Sequence, residues 1–262
     1  MSEMTATAPL AFITGASSGI GQALAARYAA AGWRVALVAR RGAEVQAWVD
    51  AQGLGADRAQ VYGVDVAQVD RIIGAAQACI SRQGLPEVVI ACAGIGAGMD
   101  TGERADLDLM RDIFAVNNIG LAATFHPFLR LMVQRGSGTL VGIASVAAIR
   151  ALPGHGAYHA SKAGVVAYCE SLRGECRGSG VKVVTLLPGY VATPMTARNR
   201  YAMPFLLSPE QFAEQAFRAI AQGTSYRVIP WQMGVVAKLL RMLPNAWFDR
   251  LFAGRKRKPR RV

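Results

Sequence analysis

The sequence predicts an α/β fold: a single doubly wound parallel sheet with helices on both faces. Three observations predict it. Six or seven short apolar runs alternate with helical segments, the first run opens into a glycine-rich turn and an alanine-rich helix, and no repeat or low-complexity linker interrupts the alternation before residue 230. Strands buried on both faces read as continuous apolar runs, and joining them in parallel takes right-handed crossovers through helices. The 262 residues are 52% hydrophobic and 18% charged, which supports a sizeable core and argues against disorder.

Leu10 to Thr14 is the first strand, followed by Gly15-Ala16-Ser17-Ser18-Gly19-Ile20-Gly21 and a helix from Gln22 to Ala31. Strand, glycine turn and helix form a phosphate-binding arrangement. Gly15 permits the tight turn, Gly19 lets backbone approach a pyrophosphate, and Gly21 allows close helix–strand packing. The helix start then offers N–H groups and partial positive charge. Arg34 to Ala39 is the second strand, ending in Arg40 and Arg41. No acid stands there to accept from the ribose 2′-hydroxyl of NAD, and the basic pair favours the 2′-phosphate of NADP.

Gln60 to Val64 reads as the third strand. Asp65-Val66 follows it; an acid at a strand's carboxyl end can reach an adenine, although Asp65 could equally cap the next helix, Gln68 to Ser81. Glu87 to Ala91 is the fourth strand, and Cys92-Ala93-Gly94-Ile95-Gly96 gives small residues against which a nicotinamide could lie. Leu107 to Arg135 is helical but contains Val116-Asn117-Asn118-Ile119-Gly120. Paired amides and a glycine in mid-helix predict a kink or bulge, or an amide satisfying local backbone.

Gly138 to Ala144 is the fifth strand, with Ser145 at its carboxyl end, where ligands gather in open parallel sheets. Loop 146–157 leads to a helix over 157–177 that carries Tyr158 and Lys162. Four residues are one helical turn, so phenol and ammonium share a face. A neighbouring cation lowers a tyrosine pKa of ~10 by about one to three units, toward useful proton exchange. Val181 to Leu187 is the sixth strand, closed by Pro188-Gly189; Glu210 to Gln222 is helical and Tyr226 to Ile229 the last strand. Between them, Tyr190 to Ser208 reads as a mobile lid bearing Met195, Tyr201, Met203, Phe205, Leu206 and Leu207, with Arg198 and Arg200. Met and aromatic side chains suit an irregular apolar ligand, or ordinary packing of the lid.

The net charge is +12, and six of the last eight residues are basic, so half of it is a terminal appendage. The four cysteines lack metal spacing and read as reduced, buried thiols of a cytoplasmic protein; Cys169 and Cys176 sit too far apart on one helix for a disulfide. The N-terminal stretch lacks the features of a signal peptide, and no apolar run is long enough to span a membrane. His126 reads as packing on the long helix, while His155 and His159 flank the site without metal partners.

Taken together, Thr14-Gly15-x3-Gly19-x-Gly21, Asn117, Ser145, Tyr158-x3-Lys162 and Pro188-Gly189-x3-Thr193 resemble the short-chain dehydrogenase/reductase family over roughly residues 9–230, with Ser145 thirteen residues before Tyr158. The resemblance implies a Rossmann-type NADP-dependent oxidoreductase. Tyr158 would exchange a proton with the substrate oxygen. Ser145 would donate to that oxygen, Lys162 would hold the nicotinamide ribose and lower the Tyr158 pKa, and Asn117 would hold a water. The cofactor contacts would include Ser17, Ser18, Ile20, Ala93, Gly94, Pro188, Gly189, Val191 and Thr193 with the residues above. A homodimer through the helices at 107–135 and 157–177 is implied, or a tetramer. One departure is plain: the family's paired asparagines after the fourth strand are here Ala91 and Cys92.

Residues 1–230 therefore read as the dinucleotide-binding and catalytic domain, and 231–262 as an apolar helical extension with a basic tail. Met233 to Leu243 and Ala246 to Ala253, split by Pro244, could lie on an anionic membrane surface, cap the substrate pocket or contact a second subunit. The tail lacks the aromatics and modules of a nucleic-acid binder. The substrate expected is a lipophilic ketone, aldehyde or alcohol. The rival reading is a dinucleotide sensor or membrane-associated scaffold that kept the fold without catalysis.

Overall fold

The computed structural model describes residues 8–197, 199 and 202–254. Arg198, Arg200 and Tyr201 of the expected lid, and the basic residues from 255 onward, lie outside the described residues. Seven parallel strands form one sheet in the order β3-β2-β1-β4-β5-β6-β7. They are β1 (Leu10–Thr14), β2 (Arg34–Ala39), β3 (Ala59–Gly63), β4 (Val88–Ala91), β5 (Gly138–Ile143), β6 (Val181–Pro188) and β7 (Tyr226–Ile229). The helices are α1 (Gly19–Ala30), α2 (Gly42–Ala51), α3 (Val69–Gln83), α4 (Arg104–Phe114), α5 (Gly120–Arg135), α6 (Gly156–Glu175), α7 (Pro209–Ala221), α8 (Trp231–Met242) and α9 (Asn245–Phe252).

Every residue of β1 is buried, and its side chains alternate between two cores. Leu10 and Phe12 join the core under α3, α5 and α6; Ala11 and Ile13 join the one under α1, α2 and α7. Alternation across the pleat lets one apolar run serve both faces. From β1 the chain winds outward through β2 to β3, then returns to β4 on the other side of β1. The winding reverses there, and the crevice at the carboxyl ends of β1 and β4 is the switch point where such sheets bind ligands.

Two expectations shift, and one is met. The third strand begins and ends one residue earlier than Gln60 to Val64, since its pairing with β2 runs from Ala59 opposite Val35 to Gly63 opposite Ala39. His126 is exposed instead of packed, since α5 buries Phe125 and Phe128 on the face turned toward the sheet. The long helical stretch is broken by a π-helical turn over Ala115–Ile119, at the amide pair that predicted a bulge. Asn118 Nδ2 donates from this turn to the Ser161 carbonyl at 2.9 Å, pinning it against the first turns of α6.

Past β7, α8 packs on that strand and on a short 3-10 turn (Val146–Ala148) after β5. Arg150 ties α9 to the same region: its guanidinium lies 4.0 Å from the Phe248 ring centre and its Nη2 donates to Asn245 Oδ1 at 3.2 Å. No helix among the described residues is long and apolar enough to cross a membrane.

Candidate active site

Two cavities meet above the carboxyl ends of the strands. The larger, about 610 Å³, runs from the glycine turn after β1 to Lys162, and Ser17, Ser18, Ile20, Ala93, Pro188 and Val191 are among its walls. Asp65, Val66, Arg40 and Arg41 line its far end, and Gly94, Gly189 and Thr193 its near end. The smaller, about 400 Å³, lies under the C-terminal helices. Ser145 and Tyr158 line both.

The glycine turn forms a cradle that side chains would fill. Gly19 has φ +57°, and a Cβ on it would lie 2.9 Å from Thr193 Cγ2; one on Gly21 would lie 2.2 Å from the Gly15 carbonyl oxygen. The start of α1 makes no side-chain cap bond at Ser18 and holds no acid in its first turn. Its first N–H groups and positive dipole end thus face the cleft, which suits a pyrophosphate. On this cradle and volume the residues fit a dinucleotide.

At the rim, Arg41 Nη2 donates to Ser17 Oγ at 3.0 Å and its Nε lies 3.3 Å from Glu44. Arg40 Nη1 stands 3.7 Å from Asp65 Oδ2, and the other Asp65 oxygen accepts from the Ala67 N–H at 3.0 Å. Asp65 therefore braces the turn before α3 while lining the cleft, and the helix itself takes Gln68 as its N-cap, so the expected helix cap is not made.

The floor is built on buried polar groups. Thr14 Oγ1 accepts from the N–H groups of Cys92 and Ala93, both at 3.1 Å. That hydroxyl ties β1 to the segment after β4. Asn117 Oδ1 accepts from the Ile95 N–H at 2.9 Å, and its Nδ2 donates to the Ile95 carbonyl and to Ser161 Oγ at 3.0 and 2.9 Å. The Asn117 side chain thus spends its groups on protein. Lys162 Nζ is buried and donates to the Ile143 carbonyl at 2.9 Å. Burial pulls the Lys162 ammonium down to about 8, leaving it charged at neutral pH. Burial pushes the Cys92 thiol up to about 12, so no thiolate competes beside it.

Tyr158 departs from expectation. Burial pushes its phenol up, opposed by a hydrogen bond from Ser145, and Lys162 Nζ stands 6.0 Å from the ring centre, turned to Ile143. Desolvation is the larger influence, and the Ser145 hydrogen bond is what opposes it. Ser145 Oγ also accepts from the Ala147 N–H at 3.1 Å and so caps the 3-10 turn. A hydroxyl, a phenol and an ammonium therefore converge where the two cavities join.

His159 braces the loop over 146–157 that leads from Ser145 to Tyr158. Its Nδ1 lies 2.6 Å from the Ala147 carbonyl, and its Nε2 accepts from the Leu152 N–H at 3.1 Å. A carbonyl accepts, so Nδ1 carries the proton and the ring is neutral. Burial pulls His159 below its usual 6.5. The unfolded chain then binds a proton more readily, so the stability His159 confers is full above pH 6.5 and is lost as pH falls below it. Melting temperature measured against pH should fall on that acid side, and less steeply in His159→Gln. Among the described residues no group of histidine, cysteine and carboxylates could hold a metal, and all four thiols are free.

Of the three readings the sequence left open for 231–262, capping the pocket is the one the smaller cavity matches. Met233, Val236, Ala237, Leu240 and Phe252 roof the smaller cavity. Their helical spacing was the available signal, but it does not say what lies beneath.

A family model described as short chain dehydrogenase matches residues 9–203. An uncharacterized oxidoreductase of Myxococcus xanthus is 37% identical over 239 residues, covering 91% of this chain and 94% of its own length. A Burkholderia phymatum short chain dehydrogenase/reductase solved with NAD superposes with a TM-score of 0.81 at 24% identity, covering 100% of this chain and 99% of its own. The closed form of a serine dehydrogenase complexed with NADP+ gives 0.72 at 25% identity, over 80% and 88%. With the family's model spanning most of the sheet and a relative aligned nearly end to end, the chain belongs to the short-chain dehydrogenase family of oxidoreductases, whose fold binds a nicotinamide dinucleotide.

Proposed function

We propose that the protein reduces a lipophilic ketone or aldehyde with NADPH, and oxidises the matching alcohol in reverse. The observation that carries this is the wall shared by the two cavities: Ser145 and Tyr158 stand between a dinucleotide-sized cleft and a largely apolar chamber. Gly15 to Gly21, Asp65, Val66, Ala93, Gly94, Pro188, Gly189, Val191 and Thr193 would hold the dinucleotide, which supplies the hydride. Ser145 Oγ orients the substrate oxygen and favours its developing negative charge. Tyr158 Oη gives the proton to that oxygen. A phenol whose pKa burial raises is protonated at neutral pH, which suits donation and therefore reduction. Lys162 Nζ, charged and buried, holds the ribose side, and Asn117 fixes the backbone at Ile95 beside it.

Preference for NADP rests on Arg41 and Arg40. Related proteins have been solved with either dinucleotide, so the choice lies in this rim. Arg41 already reaches Ser17 across the mouth of the phosphate loop, and a 2′-phosphate there would take both. One charge-assisted hydrogen bond is worth about 1.5–3 kcal/mol, so Arg41→Ala should raise the KM for NADPH about tenfold or more and leave that for NADH unchanged.

The substrate class rests on the chamber, whose roof is Met233, Val236, Ala237, Leu240 and Phe252. NADPH oxidation across ketones and aldehydes of graded chain length should show kcat/KM rising with length. Turnover confined to small hydrophilic sugars would overturn the substrate class, and NADPH binding without any turnover would overturn the enzyme. The reading extends to a homodimer, supported by the exposed Leu107, Ile119, Leu131, Val133 and Tyr168 on α4 to α6; light scattering showing a tetramer would overturn that.

A further inference from the structure

The pair α8–α9 is apolar on both sides. Its inner side is buried: Met233 and Ala237 on α8, Phe248 and Phe252 on α9. Its outer side carries Trp231, Val235, Leu239 and Met242 on α8, and Trp247 and Leu251 on α9, all well exposed. Met242 at 79% and Trp247 at 71% lie almost wholly in solvent. On α8 the four outer residues follow a spacing of four, four and three, one stripe of a helix directly opposite the buried one. Of the fifteen exposed large apolar side chains among the described residues, six lie in these two short helices and most of the others over α4–α6.

We propose that this outer face binds the surface of an anionic lipid membrane. Charge decides between the occupants an apolar face could take. Lys238, Arg241 and Arg250 are exposed among the apolar residues, and Asp249 is the sole acid over 231–254. The chain then continues past Gly254 for eight residues, six of them arginine or lysine. A second copy docked by two-fold symmetry would set these cations against their own images. An anionic bilayer neutralises them while it takes up the apolar stripe, and tryptophan suits the headgroup boundary. The same two helices roof the substrate chamber with their inner side, so bound protein would hold that chamber close to the layer where lipophilic carbonyl compounds partition.

Vesicle flotation of the full chain tests the contact without recourse to turnover. The protein should float with phosphatidylcholine vesicles containing phosphatidylglycerol, not with phosphatidylcholine alone, and high salt should weaken the association. Two variants keep the inner face intact: Leu239→Ser with Trp247→Ser and Leu251→Ser, and Lys238→Glu with Arg241→Glu and Arg250→Glu. Each should bind the anionic vesicles at least about tenfold more weakly, since one basic residue contributes about 1 kcal/mol near such a surface, while NADPH binding shows that they fold. Intact protein that stays at the bottom with anionic vesicles overturns the proposal, as do variants that float like the parent. So does light scattering in which the outer-face variants alone halve the mass, which would assign the face to a second copy. Flotation of a protein that turns over no carbonyl would sink the catalytic reading and leave this one standing.

Discussion

Tyr158→Phe is expected to lower kcat by about 10²–10⁴-fold, the range that a placed general acid contributes. The substitution deletes one oxygen from a ring that stays in its slot against Gly96, so folding and NADPH affinity should persist. Ser145 would keep its bond to the Ala147 N–H and the 3-10 turn would hold. Residual turnover should then reflect orientation by Ser145 alone. Steady-state rates with the best carbonyl substrate, beside NADPH titration by fluorescence, separate the two contributions. Equal activity in the Phe variant would remove Tyr158 from proton transfer and with it the proposed mechanism.

Gly96→Ala should cost about 10²-fold in kcat, because a displacement of roughly 1 Å at reacting groups has that effect. A Cβ at 96 would fall 2.6 Å from Cδ2 and 3.0 Å from Cε2 of Tyr158, so ring or loop must move. Gly96 lines the substrate chamber and not the dinucleotide cleft, so the KM for NADPH should stay near the parent value. That split distinguishes a misplaced phenol from general damage. An unchanged kcat would mean that the ring tilts without penalty.

Local pattern carried much of the chain. The residues of β1 and β2 stand where their apolar runs placed them, since a strand buried on both faces has one dominant signal. Asn117 and Asn118 announced the π-helical turn because two amides in mid-helix contradict propensity. The helix α2 was passed over: it opens at Gly42 behind Arg41, which makes no side-chain cap bond, so no start signal marks it. Features fixed by distant packing were not legible. Thr14 bridging to Cys92 and Ala93 joins residues 78 and 79 apart in sequence. The desolvation that raises Tyr158 depends on burial contributed by several segments, whereas spacing to Lys162 suggested the opposite sign. His159 bracing the loop depends on where Leu152 folds back, which helical angle alone does not say.

Part of the chamber's ceiling comes from Met233 to Phe252, while Ser145, Tyr158 and Lys162 belong to the sheet edge and α6. On the proposed reading, machinery for proton transfer and much of the means of choosing a reactant are therefore encoded in separate stretches of sequence. Drift in the last thirty or so codons can retune which molecules are admitted without disturbing the reaction itself, and grafting that stretch between relatives should transplant selectivity more readily than rate.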